Sequence, residues 1–123
     1  MEIISIFKKE EEIKKIVNKL KNYSFNDLKR SAHFEFSLME KMTDEMFIRE
    51  VFPKFDLIKT IELRKNKGRE YYSFNYELDD ETYVVIALVL DKEPPIIINA
   101  FHAQKSYKRF EKSLRKHYSK RFV

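Results

Sequence analysis

The chain has 123 residues, of which 43% are hydrophobic and 15% aromatic, a length and composition typical of one globular domain with its own core. Cysteine is absent, which excludes disulfides, thiolate metal sites and cysteine nucleophiles. No stretch has the length of a membrane span, and charged residues directly follow the short apolar start, so we expect a soluble cytoplasmic protein.

Positive charge is concentrated near the C-terminus. Residues 102–123 contain eight Lys or Arg and one Asp or Glu, a net charge of +7, against a formal net charge of +5 for the whole chain. Such a segment indicates an anionic partner, and RNA is the partner we expect; a solvated helix face is the alternative. His33, His102 and His117 lack metal-ligand spacing, so we expect neither a metal nor a cofactor.

Helices are predicted in the first half of the chain. Residues 9–21 place apolar side chains at helical spacing, with glutamates in the first turn and lysines after them. Ser24 is the predicted cap of a short second helix, and residues 33–42 are rich in Leu, Met, Glu and Lys, which favours a third. Thr43 is the predicted N-cap of a fourth helix, which ends before Pro53.

Strands are predicted in the second half. Residues 57–64 and 70–78 form a hairpin around Gly68, the only glycine, which we expect to adopt a positive φ. Residues 83–90 are apolar throughout and belong in the middle of a sheet, and residues 95–101 form the last strand.

A basic helix over residues 104–120 closes the chain, with Tyr107, Phe110, Leu114 and Tyr118 as its predicted buried row. The predicted fold class is therefore α+β: N-terminal helices followed by a four-stranded antiparallel meander sheet and a basic C-terminal helix. All of it belongs to a single domain, residues 1–123.

The end of the last strand supplies candidate catalytic residues. A carboxamide inside an isoleucine strand must find hydrogen-bond partners or cost about 1–3 kcal/mol, so Asn99 either binds a phosphate or base edge or ties neighbouring loops together. His102 follows at the exit of the strand and is our first choice for proton transfer, and His33 is a further candidate acid or base. For both histidines a structural role is the alternative. We expect Asn99 and His102 to share one polar hollow with the cationic C-terminal segment.

Cations and tyrosines predict an RNA-binding surface. Arg64, Lys67 and Arg69 surround the Gly68 turn, where cations can reach phosphates and Tyr72, or its neighbour Tyr71, can stack on a base. Prevention of edge-to-edge strand pairing is the alternative reason for charges at a hairpin tip. The C-terminal helix adds further candidates for phosphate contacts, namely Lys105, Lys108, Arg109 and Lys112.

The order of elements resembles the RelE-type toxin ribonucleases, within the barnase–EndoU–colicin–RelE group. The residues that carry the resemblance are His33-Phe34 followed by Ser37, Thr43 opening a helix, and the strand that ends in Ile97-Ile98-Asn99-Ala100-Phe101. It spans roughly residues 24–110 and implies metal-independent RNA cleavage and an acidic protein antitoxin. It matches His33 to the histidine at the start of the helical half and Asn99 to the polar residue of the last strand. One departure is Glu40-Lys41, where related sequences often place an arginine.

Two other functions remain open from the residues alone. The basic helix and the tyrosines also suit a non-catalytic nucleic-acid-binding module, whose affinity falls steeply with salt. The same helix also suits a protein-interaction module for an acidic partner.

Overall fold

The computed structural model describes residues 2–123. It contains six strands: β1 (Glu2–Phe7), β2 (Lys29–Arg30), β3 (Ile58–Asn66), β4 (Arg69–Glu77), β5 (Tyr83–Val89) and β6 (Ile96–Ala103). It contains four α-helices: α1 (Glu10–Val17), α2 (Ala32–Glu40), α3 (Glu45–Val51) and α4 (Tyr107–Tyr118). Single 3₁₀ turns lie at Phe25–Asp27, Phe55–Leu57 and Ser119–Arg121.

All six strands form one mixed sheet in the order β1-β3-β4-β5-β6-β2. The pairs are antiparallel except for β2, which runs parallel to the start of β6. The α+β class is confirmed, but the predicted four-stranded meander behind N-terminal helices is wrong in strand number and order. The four predicted strands are the centre of the sheet, β1 precedes the first helix, and β1 and β2 form the two edges.

Local sequence signals correctly predicted the approximate positions of most other helices and turns. Ser24 and Asp27 form the predicted capping box, although the helix they cap is one 3₁₀ turn. Helix α3 begins one residue later than predicted, because Asp44 rather than Thr43 accepts from the Met46 amide, at 2.9 Å. Gly68 has the expected positive φ of 80°, and the hairpin turn also holds Lys67 at φ 53°.

Helices α1, α2 and α3 cover one face of the sheet, and the main hydrophobic core lies between them and the strands. Its fully buried members come from both layers and include Leu20, Phe34, Ile48, Ile61, Phe74, Ile86, Leu88 and Ile97. Helix α4 packs on the opposite face through two smaller clusters, around Leu114 at β1 and around Tyr107 at β5. Because α4 is one short helix, it leaves part of that face open.

Helix α2 lies beside β6 where β2 has already ended. Lys29 and Arg30 pair with Ile96 and Ile97, and the Ser31 amide donates to the Ile97 carbonyl at 3.1 Å. Farther along, the Ser37 hydroxyl donates to Asn99 Oδ1. The helix therefore covers the outer edge of β6 and borders both faces of the sheet. No helix among residues 2–123 is both long and apolar enough to cross a lipid bilayer.

Candidate functional site

A cavity of about 610 Å³ lies on the open face of the sheet. Strands β3 to β6 form its floor, the start of α2 and Lys41 form one wall, and Phe110 of α4 closes one end. A cavity of this size is typical of small-ligand sites in proteins.

The period of two in β-strands places polar side chains along this floor. Glu62, Ser73, Ala87 and Asn99 are successive cross-strand partners, so they form one row on the same face. Thr60, Asn75, Val85 and Phe101 form the next row. The residues between them, such as Ile61 and Phe74, point to the main core. The sequence thus encodes a sheet with one apolar face and one face that is polar in its centre.

Glu62 is a buried carboxylate at the centre of the floor, with 1% of its surface exposed. Arg64 Nε donates to its Oε1 at 2.8 Å, and Asn75 Nδ2 donates to its Oε2 at 2.7 Å. A buried carboxylate requires such partners, because burying an unpaired charge is far costlier than burying a neutral polar group. Glu62 and Arg64 therefore form an ion pair within the cavity.

Asn75 is fully buried and connects the ion pair to helix α4. Its Nδ2 also donates to Thr60 Oγ1 at 2.9 Å, and Thr60 Oγ1 lies 3.0 Å from the Tyr107 hydroxyl. Its Oδ1 accepts no hydrogen bond from residues 2–123. Because Glu62 and Thr60 occupy the donor side of the amide, Asn75 Oδ1 is left as a buried acceptor in the cavity floor.

The network ends at Glu111 on α4. The Tyr107 hydroxyl donates to Glu111 Oε1 at 2.8 Å, and burial raises the pKa of Tyr107, so this donor stays protonated. Burial also acts to raise the pKa of Glu111, but hydrogen bonds from Lys8, Tyr107 and Arg115 outweigh it and leave this pKa lowered. Helix α4 is thus joined to the cavity floor by polar contacts as well as by its apolar side chains.

Cations dominate the charge of the cavity. Its charged lining consists of Lys41, Arg64 and Arg69 against Glu62, and His33 adds a titratable side chain at the rim. Lys41 Nζ lies 4.4 Å from the ring centroid of Phe101, a cation–π contact that holds the ammonium over β6. The excess of cations suits an anionic ligand.

Four of the predicted site residues meet in this cavity, namely His33, Asn99, Arg64 and Arg69. The Ser37 hydroxyl fixes Asn99 Oδ1 as an acceptor, which directs the amide donors of Asn99 away from α2.

His102 does not join them. It follows Asn99 by three residues, an odd spacing that puts the two side chains on opposite faces of β6. Its ring stacks on Phe47 of α3, with the centroids 4.6 Å apart, and Nδ1 lies 3.4 Å from Gln104 Nε2. The expectation that Asn99 and His102 share one hollow with the C-terminal cations is therefore wrong, because strand parity separates them.

The other predicted RNA contacts also lie outside the cavity. Tyr72 faces the main core beside Phe74, and Tyr71, the alternative, lines the cavity instead. Lys67 occupies the exposed tip of the hairpin. The cations predicted on the last helix are exposed and belong to a separate surface: Lys105, Lys108, Arg109 and Lys112.

Glu62 and Asn75 are site residues that the sequence prediction missed. A signal for them exists, since Thr60, Glu62 and Arg64 alternate with Ile61 and Leu63. Such alternation predicts a polar sheet face. Among residues 2–123 no three His, Asp or Glu side chains are grouped so that they could hold a metal ion. Comparisons with protein-family models, with curated proteins and with solved structures each found no match.

Proposed function

We propose that the cavity binds a phosphodiester of single-stranded RNA and that the chain cleaves it without a metal ion, as an endoribonuclease of the toxin type that the sequence resembles. The observation that supports this function best is the presence of Glu62 and His33 in one cavity with three cations, Lys41, Arg64 and Arg69. A carboxylate and an imidazole form an acid–base pair, and the cations suit the charge of a phosphate.

The proposed reaction is an internal transesterification. Glu62 removes the proton of a ribose 2′-hydroxyl, and the 2′-oxygen attacks the adjacent phosphorus. The bond from phosphorus to the 5′-oxygen of the next nucleotide breaks, and His33 donates a proton to that leaving oxygen. The products are a 2′,3′-cyclic phosphate and a free 5′-hydroxyl. Lys41 and Arg69 stabilise the negative charge that develops on the phosphoryl oxygens.

Arg64 has a second role in this proposal. In the structure it donates to Glu62, whose carboxylate is buried beneath it. A bound phosphate competes for the same guanidinium, since arginine binds carboxylates and phosphates with the same planar fork. When Arg64 turns to the phosphate, Glu62 Oε1 loses that donor and becomes available as a base. RNA binding thus activates the base that acts on it.

Asn99 and Tyr71 serve binding in this proposal. The Asn99 amide donates to a phosphate or base edge, and the Tyr71 ring provides a stacking surface for a base. The proposed protein partner is an acidic antitoxin whose carboxylates neutralise Lys41 and Arg69 and so block the cavity.

The test is RNA cleavage in excess EDTA by wild type, Glu62→Gln, His33→Ala and His102→Phe. We expect wild type and His102→Phe to cleave at the same rate, and each cavity variant to lose about 100-fold or more, the typical contribution of one acid or base. The new 3′ ends are expected to carry a cyclic phosphate. Absence of cleavage by wild type, or equal rates for all four proteins, would refute the catalytic proposal.

A second candidate function is non-catalytic RNA binding through α4. One observation favours it: the cations of this helix are exposed, while Tyr107 and Leu114 are buried on its opposite side. Affinity that falls steeply with salt while the RNA remains intact would favour this function over cleavage.

A further inference from the structure

The surface of α2 and α3 carries a group of exposed apolar side chains. Phe36, Met39, Met42 and Met46 are between 60% and 91% exposed. Among residues 2–123 the other exposed large hydrophobic side chains are Tyr118 and Val123, at 42% and 51%, so four of the six lie within eleven residues. We call these four residues the methionine knob. Contiguous exposed apolar residues mark interaction surfaces, and methionine adapts its shape to a partner.

The methionine knob lies in an acidic segment. Residues 35–50 contain five acidic side chains and two basic ones, a net charge of −3. Glu35 and Glu45 are paired with Arg30, whereas Glu40, Asp44 and Glu50 form no ion pair with residues 2–123. A partner for the knob must therefore combine an apolar surface with unpaired cations.

A groove with these properties lies elsewhere on the same chain. It has a volume of about 590 Å³ and runs between α1 and residues 55–59. Its apolar lining is Ile13, Val17, Phe55 and Ile58. Its lysines are Lys8, Lys14, Lys21 and Lys59, against the acids Glu10 and Asp56. Lys8 pairs with Glu111 and Lys14 with Glu10, so Lys21 and Lys59 are the groove lysines without an ion pair among residues 2–123. We call it the lysine groove. Its net charge of +2 and apolar floor complement the knob.

One chain cannot place its own knob in its own groove. Helix α1 contacts β3, whereas α2 and α3 contact β6. Strands β4 and β5 lie between them, so the two surfaces are centred three strand spacings apart, roughly 14 Å. Both are fixed to the same rigid sheet. Contact between them requires two molecules.

We infer that the methionine knob of one copy docks in the lysine groove of a second copy of this chain. The contact joins two different surfaces, so two copies make it either twice, in a closed two-fold dimer, or once, in a head-to-tail contact. A head-to-tail contact leaves a free knob at one end and a free groove at the other, so association then continues as a ring or an open chain of subunits. This inference is independent of RNA cleavage, because neither surface belongs to the cavity described above.

The experiment is sedimentation velocity over a wide range of protein concentration, with two variants at exposed positions. The knob variant is Met39→Gln with Met42→Gln, and the groove variant is Lys21→Glu with Lys59→Glu. Lys116→Gln, an exposed change on α4, is the matched control. We expect wild type and the control to form dimers or larger species as concentration rises, and each variant alone to remain monomeric.

Mixing the two variants in equal amounts gives the decisive result. The knob variant keeps a working groove, and the groove variant keeps a working knob. The mixture must therefore form a heterodimer and nothing larger. Three outcomes overturn the inference: monomeric wild type at the highest concentration, self-association of either variant alone, or a mixture that stays monomeric. Binding of a synthetic acidic amphipathic peptide by a wild type that stays monomeric would likewise overturn it, by assigning the groove to another protein.

Discussion

Asn75 Nδ2 lies 2.7 Å from Glu62 Oε2, so a neutral amide on β4 fixes a buried carboxylate on the neighbouring strand. The same nitrogen donates to Thr60, so both amide hydrogens are used inside the sheet face. The pair links the ion pair of the cavity to the hydrogen bonds that reach α4. Loss of the Asn75 side chain alone would therefore remove a hydrogen bond from both Glu62 and Thr60.

We expect Asn75→Leu to destabilise the protein by about 1–3 kcal/mol, because it removes one donor from a buried carboxylate and one from Thr60. Urea denaturation followed by circular dichroism measures the free energy of unfolding. Asn66→Ala, at an exposed position on the cavity rim, is the matched control and should change stability by less than about 0.5 kcal/mol. An Asn75→Leu protein as stable as wild type would contradict the role assigned to this amide.

His102→Phe is expected to leave the protein as stable as wild type or to stabilise it by about 1 kcal/mol. Nδ1 of His102 lies 3.4 Å from Gln104 Nε2, and the buried Nε2 atom has no hydrogen-bond partner among residues 2–123. Phenylalanine keeps the stack on Phe47 and removes the unpaired polar atom. Thermal unfolding measures the difference. A loss of more than about 1 kcal/mol would indicate that Nε2 makes a favourable bond.

Glu45→Gln is expected to lower stability at neutral pH and to have no effect in strong acid. The hydrogen bond from Arg30 is the main cause that lowers the pKa of Glu45, and burial opposes it. A lowered pKa in the folded state contributes stability above the unfolded value of about 4.3, and this contribution disappears as the pH falls through the folded value.

Unfolding free energies of wild type and Glu45→Gln at a series of pH values from 7 to 2 test this prediction. The two curves should be separate at pH 7 and converge in acid. Glu50→Gln, an exposed residue on the same helix, should follow wild type throughout. A separation that persists unchanged at the lowest pH would show that packing, not charge, accounts for the effect.

Tyr76→Phe is expected to lower stability by about 1 kcal/mol at neutral pH, because the Tyr76 hydroxyl donates to the buried Phe52 carbonyl at 2.8 Å. Burial raises the pKa of Tyr76, and burial together with the charge of Glu62 raises the pKa of Tyr83 to about 12. A raised pKa in the folded state contributes stability below the unfolded value of about 10, and this contribution is lost as the pH rises.

Wild type should therefore lose stability above about pH 10, and Tyr76→Phe should lose less of it over the same range. Denaturation curves from pH 7 to 12 measure both slopes. The exposed residue Tyr118 provides the control, since Tyr118→Phe should keep the alkaline slope of wild type. Identical slopes for wild type and Tyr76→Phe would rule out this tyrosine as a cause of alkaline unfolding.

Lys108→Ala with Lys112→Ala tests the RNA contacts of α4. A plot of the logarithm of the RNA association constant against the logarithm of salt concentration has a negative slope. If both lysines neutralise phosphates of single-stranded RNA, the double variant makes this slope less steep by about 1.4, or about 0.7 for each lost contact. Fluorescence anisotropy with a labelled oligonucleotide measures it at several salt concentrations. Lys54→Ala with Lys92→Ala removes the same charge from exposed positions elsewhere and should leave the slope nearly unchanged. Equal slopes for the two double variants would assign the effect to net charge alone.

The central strands and the last helix follow from patterns that the sequence carries locally. Alternation over residues 70–78 and the apolar run over residues 83–90 each specify a strand, and the buried positions of Tyr107 and Leu114 follow from helical spacing. Strand β1 has no comparable pattern, since its buried residues Ile3 and Ile6 are three apart, a spacing that the strand accommodates only through an irregularity between Ile3 and Ser5. Strand β2 has two exposed residues, and only its pairing with β6 defines it.

Only some residues of the candidate site were predictable from the sequence, namely those identified by their own side-chain chemistry. The charged or polar character of their side chains identified four residues as candidates, and all four line the cavity: His33, Asn99, Arg64 and Arg69. Strand parity, applied to Asn99 and His102, would have placed them on opposite faces. The alternation of Glu62 with Ile61 and Leu63 was visible, but the role of Glu62 also depends on Asn75 of the neighbouring strand, and contacts between strands are not visible in the spacing of one strand.

Helix α2 contributes to the cavity, to the hydrophobic core and to the edge of the sheet at the same time. It supplies His33 to the cavity wall, fills the core with Phe34 and Leu38, and covers the outer edge of β6. Damage to this helix therefore uncovers unpaired backbone amides and carbonyls at the moment that the cavity is lost. Mutants that unwind it should be recovered as insoluble β-rich aggregates rather than as folded, inactive monomers.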